Sequence, residues 1–233
     1  MAMAEVIYFD VNETLLDMSP VRSTIAEALG GDDSLVPLWF STLLHHSLVD
    51  CATGQFHPFS DIAGAALVMV ARNNGYDIAL EDAKENISNA MMSAPAHADV
   101  KPALEGLRDS KYRLVALSNS SINGLEKQLS HAGVIDCFDR VMSVESIRTY
   151  KPYPAVYHWA LREMGITARQ GLMVAAHGWD ISGAKAVGMQ TAFIKRASKS
   201  TYPLGLAEDF VGDSLTTLVE KLTSSSSATG QLT

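Results

Sequence analysis

Apolar positions run unbroken through "VIYF" at 6–9 and stop against an acid, Asp10. Asn12, Glu13 and Thr14 follow before the chain turns apolar again. A short, β-prone run of this kind predicts a buried parallel strand over 5–9. From Ser19 to about Ala94 the pattern changes, with apolar residues three and four apart as on one face of a helix. "SPVRSTIAEALG" opens with Ser19 as the expected N-cap and Pro20 as the first helical residue, and stops at Gly30. "DSLVPLWFSTLLHHSLVDC", "FSDIAGAALVMVARNNG" and "LEDAKENISNAMMSA" predict further helices, the last ending before Pro95.

Beyond that point strand and helix patterns alternate. "YRLVALSN" (112–119), "RVMSV", "GLMVAAHG" and "QTAFIKR" predict strands. "SINGLEKQLSHAG", "YPAVYHWALREMG" and "DISGAKAVG" predict the helices between them, the first two closed by Gly133 and Gly165. Such alternation predicts an α/β fold, a doubly wound parallel sheet with right-handed crossovers, interrupted after its first strand by a small helical insertion. The expected division is an α/β core at 1–16 and 97–222, a helical cap at 17–96, and a disordered tail at 223–233, where "TSSSSATGQLT" lacks apolar anchors.

Composition narrows the function classes. With 47% hydrophobic and 19% charged residues the chain can bury a sizeable core. A net charge of -8 and the lack of any Lys/Arg block argue against a nucleic-acid partner. Cys51 and Cys137 form no framework of bridges and read as free thiols. No charged and apolar leader opens the chain, and no apolar run approaches the ~18 residues of a membrane span. We therefore expect a soluble cytoplasmic protein.

Four polar clusters fall at four predicted strand ends. Asp10 follows the first, Ser118 and Asn119 end the second, Lys151 follows the third, and His177 to Asp180 follow the fourth. In a parallel sheet these ends share one edge, where ligands bind, so the clusters should converge. A single Asp or Ser at a strand end is ordinarily a helix cap, but four clusters of different chemistry exceed that role. At such an edge Asp10 is able to serve as a metal ligand, a phosphoryl-transfer nucleophile or an attacker of carbon.

The segments "FDVNETLLD", "LSNSS", "YKPYPAVY" and "HGWDISGA", in that order, resemble the motifs of the haloacid dehalogenase superfamily, over about residues 5–222. The helical insertion is similar to that family's small cap. Its Mg-dependent phosphatases need an acid two positions after the nucleophile, where this chain has Asn12, which cannot act as a general acid. The last motif offers only Asp180 as a carboxylate, thin provision for Mg. The chain is therefore closer to the L-2-haloacid dehalogenase branch, which attacks carbon and needs no metal. The resemblance implies that Asp10 displaces halide from a short 2-haloacid and that water hydrolyses the resulting ester. Lys151 is suited to neutralising Asp10. Thr14, Ser118 and the backbone N–H groups around Val11 and Asn12 are expected to hold the substrate carboxylate. Asn119 matches a position beside the departing halide, Tyr157 matches the family tyrosine, and Trp179 is expected in a dry wall. The family further implies a homodimer.

Two departures stand out. The cap arginine of the family is replaced at "PLWFSTLLHH" by Phe40 or Ser41, with no other arginine expected nearby until Arg72, so Trp39, Phe40 and His45 or His46 are left to shape the pocket. Glu13 replaces the usual loop glycine, and His177 stands where the family commonly has asparagine. A His–Glu pair is a familiar general base, so His177 supported by Glu13, or else Asp180, is expected to activate the hydrolytic water. His57, His97, His131 and His158 lack partners at ligand spacing, and neither metal nor cofactor is expected.

Overall fold

The computed structural model describes residues 4–108 and 110–229, without the side chains of 224–229. Six strands form one sheet: β1 (Val6–Phe9), β2 (Arg113–Ser118), β3 (Arg140–Ser143), β4 (Gly171–Ala175), β5 (Gln190–Ile194) and β6 (Phe210–Gly212). Their order is β3-β2-β1-β4-β5-β6, and every neighbouring pair is parallel. All four residues of β1 are fully buried, as its unbroken apolar run requires of a strand covered on both faces. Phe9 pairs with Ala116 of β2 on one side and Val174 of β4 on the other, so the carboxyl ends of the three central strands stand level. That register brings Asp10, Asn119 and His177 to one edge.

Between β1 and β2 lie α1 (Ser19–Ala28), α2 (Val36–Thr53), α3 (Phe59–Asn73) and α4 (Leu80–Met92), with α5 (Val100–Arg108) leading into β2. Helix α3 packs between α2 and α4. Trp39 of α2 donates its indole N–H to the Ala63 carbonyl at 3.0 Å. Gly64 lets α4 approach closely, since a Cβ there would fall 2.6 Å from Lys84 Cγ. The chain leaves and re-enters the sheet layer side by side: Asp17 N–H bonds Pro95 O at 2.8 Å, and His97 N–H bonds Leu15 O at 2.9 Å. The remaining helices are α6 (Ile122–His131), α7 (Pro154–Met164), α8 (Gly178–Ala186) and α9 (Leu215–Thr229).

Two local expectations are corrected. Ser19 is the first residue of α1 and not its cap; Met18 is at the N-cap, and the Asp17 carboxylate accepts the Ser19 N–H at 2.9 Å. The serine-rich stretch expected to be disordered carries α9 to Thr229, because each residue added to an existing helix gains a backbone bond and serine is only a moderate opponent of helix. Residues 230–233 of that expected tail lie outside the described residues.

Candidate active site

Asp10 extends β1 by one bond, its N–H donating to Val174 O at 3.0 Å. The chain then folds tightly, with Val11 O accepting the N–H groups of Leu15 and Leu16 at 2.9 and 3.0 Å. Within this turn Glu13 has φ +62°, a left-handed conformation that ordinarily favours glycine. The turn aims the Thr14 hydroxyl back at Asp10 Oδ2, 2.6 Å away, while Thr14 Oγ1 accepts the Ala176 N–H at 2.9 Å. One threonine thus ties the β1 and β4 loops together over the carboxylate.

Lys151 is 1% exposed and spends all three ammonium protons: on Asp10 Oδ1 at 2.8 Å, Asp180 Oδ2 at 2.6 Å and Leu117 O at 3.0 Å. Its own N–H donates to Asn119 Oδ1 at 2.9 Å, so Asn119 positions the lysine. Tyr157 donates to the other Asp180 oxygen at 2.5 Å. Burial alone would raise the pKa of Asp10, but the Lys151 charge and the His177 bond outweigh it and hold the group well below the usual carboxylate range. For Lys151, burial opposes the charge and is overcome by Asp10 and Asp180, so its pKa rises. Asp180 moves upward through burial against the pull of Lys151, with the like charge of Asp10 adding to the rise.

His177 bridges two carboxylates. Nδ1 lies 3.0 Å from Asp10 Oδ2 and Nε2 2.8 Å from Glu13 Oε2. Bonds at both nitrogens to acceptor-only carboxylates require a proton on each, hence an imidazolium. Burial works against that charge, but the bonds to Asp10 and Glu13 lift its pKa to about 9. The ring is stacked between Trp179, at 5.0 Å, and Phe40 of α2, at 5.9 Å. Glu13 is held below its ordinary pKa, because His177 and Lys199 outweigh its burial.

Above this network lies a cavity of about 260 Å³, bounded by Asn12, Glu13, Arg22, Trp39, Phe40 and Lys199 among others. The structure joins Asp10, Glu13, Thr14, Asn119, Lys151, Tyr157, His177 and Asp180 in one hydrogen-bonded network. Ser118 and Asn12 stand aside from the carboxylates: Ser118 Oγ accepts the Ser120 N–H at 3.1 Å, and Asn12 bonds Ser120 Oγ and Gln128, each at 3.3 Å. Besides Phe40 and Ser41, the cavity is lined by Arg22 of α1, an arginine upstream of the cap segment expected to lack one. His46 lines a separate cleft with Asp50 and His57.

Lys199 was missed, although it follows the end of β5 and that edge was already identified. The donor set fits a divalent cation poorly. Lys151 already bridges Asp10 and Asp180, and no group of three or more His, Cys, Asp or Glu among the described residues is placed to hold a metal.

The family model for haloacid dehalogenase-like hydrolases matches residues 40–194. Haloacetate dehalogenase H-2 of Moraxella sp. (strain B) is 30% identical over 211 residues, covering 90% of this chain and 94% of that protein. The (S)-2-haloacid dehalogenase of Pseudomonas sp. (strain YL) is 28% identical over 215 residues, 92% of each chain. Among solved structures, L-2-haloacid dehalogenase from Xanthobacter autotrophicus with covalently bound chloropropionic acid superposes with a TM-score of 0.87 at 23% identity, covering 95% of this chain and 99% of that one. The protein belongs to the haloacid dehalogenase-like hydrolase family.

Proposed function

We propose that the protein hydrolyses the carbon–halogen bond of short 2-haloacids through an ester on Asp10, with His177 and Glu13 activating the water. The observation that carries this is the direct placement of the His177 ring between Asp10 and Glu13. The substrates named for the relatives, haloacetate and (S)-2-haloacids, support the substrate class.

The first step forms a bond from an Asp10 oxygen to Cα and breaks the bond to halide, inverting that carbon. A buried, desolvated carboxylate kept ionised by Lys151 is equipped for such an attack. Alkylation removes the Asp10 charge and with it one of the two anions holding the proton on His177. The ring then loses its proton to solvent and becomes a base. Water adds to Asp10 Cγ as its proton passes to the ring, and the bond from Cγ to the substrate oxygen breaks. The departing 2-hydroxyacid takes the proton back, and the regenerated Asp10 acid ionises.

Asp180 is the weaker candidate for the base, since Lys151 and Tyr157 occupy both its oxygens. The test is chloride release by EDTA-treated protein from chloroacetate and L-2-chloropropionate, with Asp10→Asn as control. Release abolished in the variant is expected. Equal release by the variant, or phosphate release from a phosphoester on adding Mg in place of chloride release, would contradict the proposal.

A further inference from the structure

We propose that Lys199 is a positioning residue for ester hydrolysis: it shares the Glu13 oxygen that His177 uses, and so sets the pH above which the ring works as a base. The inference rests on the dehalogenase reading above and extends it to a residue outside the family motifs.

The geometry is specific. Lys199 Nζ lies 2.5 Å and His177 Nε2 2.8 Å from the same atom, Glu13 Oε2. A carboxylate oxygen divided between two cations binds each less firmly than it would bind one. Glu13 is also committed to this role by its backbone, since a glutamate with φ +62° holds a strained conformation that its ion pairs must maintain.

Lys199 itself is delivered by a riveted turn. Arg196 donates through Nε and Nη2 to Thr14 O at 3.1 and 2.9 Å, and through Nη1 to Asp99 at 3.0 Å. The Lys199 N–H then closes back on Arg196 O at 3.1 Å, with Ser198 at φ +58° between them. The connection after β5 is therefore fixed to the carbonyl immediately following Glu13. From the cap, Phe40 covers both cations, stacking on His177 and placing its ring centroid 5.3 Å from Lys199 Nζ.

The other charged or titratable groups around the ring act elsewhere. Asp10 takes Nδ1, Lys151 and Asp180 act through Asp10, Arg196 faces the Thr14 carbonyl, and His97 Nε2 lies 3.3 Å from the Glu13 carbonyl. Arg22 lines the same cavity as Lys199. Among the bonds described, only Lys199 and His177 reach the Glu13 carboxylate.

Lys199→Met keeps the aliphatic stem and removes the charge, leaving Glu13 to the ring alone. Single-turnover ester hydrolysis, measured from pH 6 to pH 10, should then show its acidic limb moved to higher pH. The expected loss is about tenfold in rate below the limb, for a move of one unit, with the high-pH plateau retained. Lys199→Arg should restore the limb. In the resting protein, imidazole NMR should show the His177 titration midpoint raised in Lys199→Met and restored in Lys199→Arg, which reads the contact without turnover.

A limb and midpoint unmoved in Lys199→Met, or a lower plateau with no movement, would overturn the inference. Failure of the reading beneath it looks different: His177→Asn would then hydrolyse the ester at the unmodified rate, or no haloacid would release halide at all.

Discussion

Nδ1 of His177 stands 3.0 Å from Oδ2 of Asp10, so the ring touches the candidate nucleophile directly. The same contact that helps to keep Asp10 ionised also keeps a proton on His177. On the proposed mechanism, one event, alkylation of Asp10, ends both effects and changes the ring from acid partner to base. A histidine poised this way has no free nitrogen before the first step, which protects it from acting early.

His177→Asn is expected to leave halide displacement working and to stall hydrolysis by about 10²–10⁴-fold, the usual contribution of a general base. Quenched mixtures with chloroacetate should carry a carboxymethyl group on the peptide containing Asp10, detected by mass spectrometry. Normal turnover without adduct would assign the water to another group.

The stability of the fold should carry the imprint of the same contacts. His177 has a folded pKa of about 9, above the ordinary 6.5, so its contribution is full below pH 6.5 and is lost as pH rises through 9. Asp10 and Glu13 have lowered values, so their contributions are present above their ordinary range and are lost as pH falls through the folded values. Urea unfolding should show stability declining between pH 7 and pH 9.5 in the unmodified protein and a flatter curve in His177→Asn. Identical slopes would mean that the ring holds no extra proton in the folded state.

The Lys151 cluster gives a graded pair of variants. Tyr157→Phe removes one charge-assisted bond to Asp180 and should cost about 1.5–3 kcal/mol. Lys151→Met leaves Asp180 buried without a cation and Asp10 with His177 alone, and should cost about 3–5 kcal/mol, with loss of halide release. Denaturant midpoints measured at pH 7 check the order. A Lys151→Met protein as stable as Tyr157→Phe would contradict the bridging role.

Chelation should leave the reaction intact, because Asp10 and Asp180 are both already paired with the Lys151 ammonium. Halide release with and without EDTA is the check; a loss restored by Mg would place a metal in the site.

Much of this site was legible in the chain because strand ends announce themselves. An apolar run that stops on Asp10, and another that stops on His177, can be placed on one edge from periodicity alone. Glu13 was legible as an oddity, but its left-handed backbone, the physical reason a glycine suits that position, was visible only in the fold. Arg196 closed the expected strand "QTAFIKR" and Lys199 followed it, and neither stood out, since their partners, Thr14 and Glu13, are more than 180 residues away in sequence. Arg22 was not legible as a cavity residue, because it lies upstream of "PLWFSTLLHH" and only the packing of α1 brings it to the same cavity. The helix through the serine-rich segment ran against composition because a helix already started is cheap to extend.

The most direct test of the ester on Asp10 is a single turnover in ¹⁸O-water with enzyme in excess over L-2-chloropropionate. The account predicts lactate without ¹⁸O, its new oxygen coming from Asp10, and ¹⁸O retained in the peptide that carries Asp10. Lactate labelled in that first turnover, with Asp10 unlabelled, would mean that water attacks carbon directly and would contradict it.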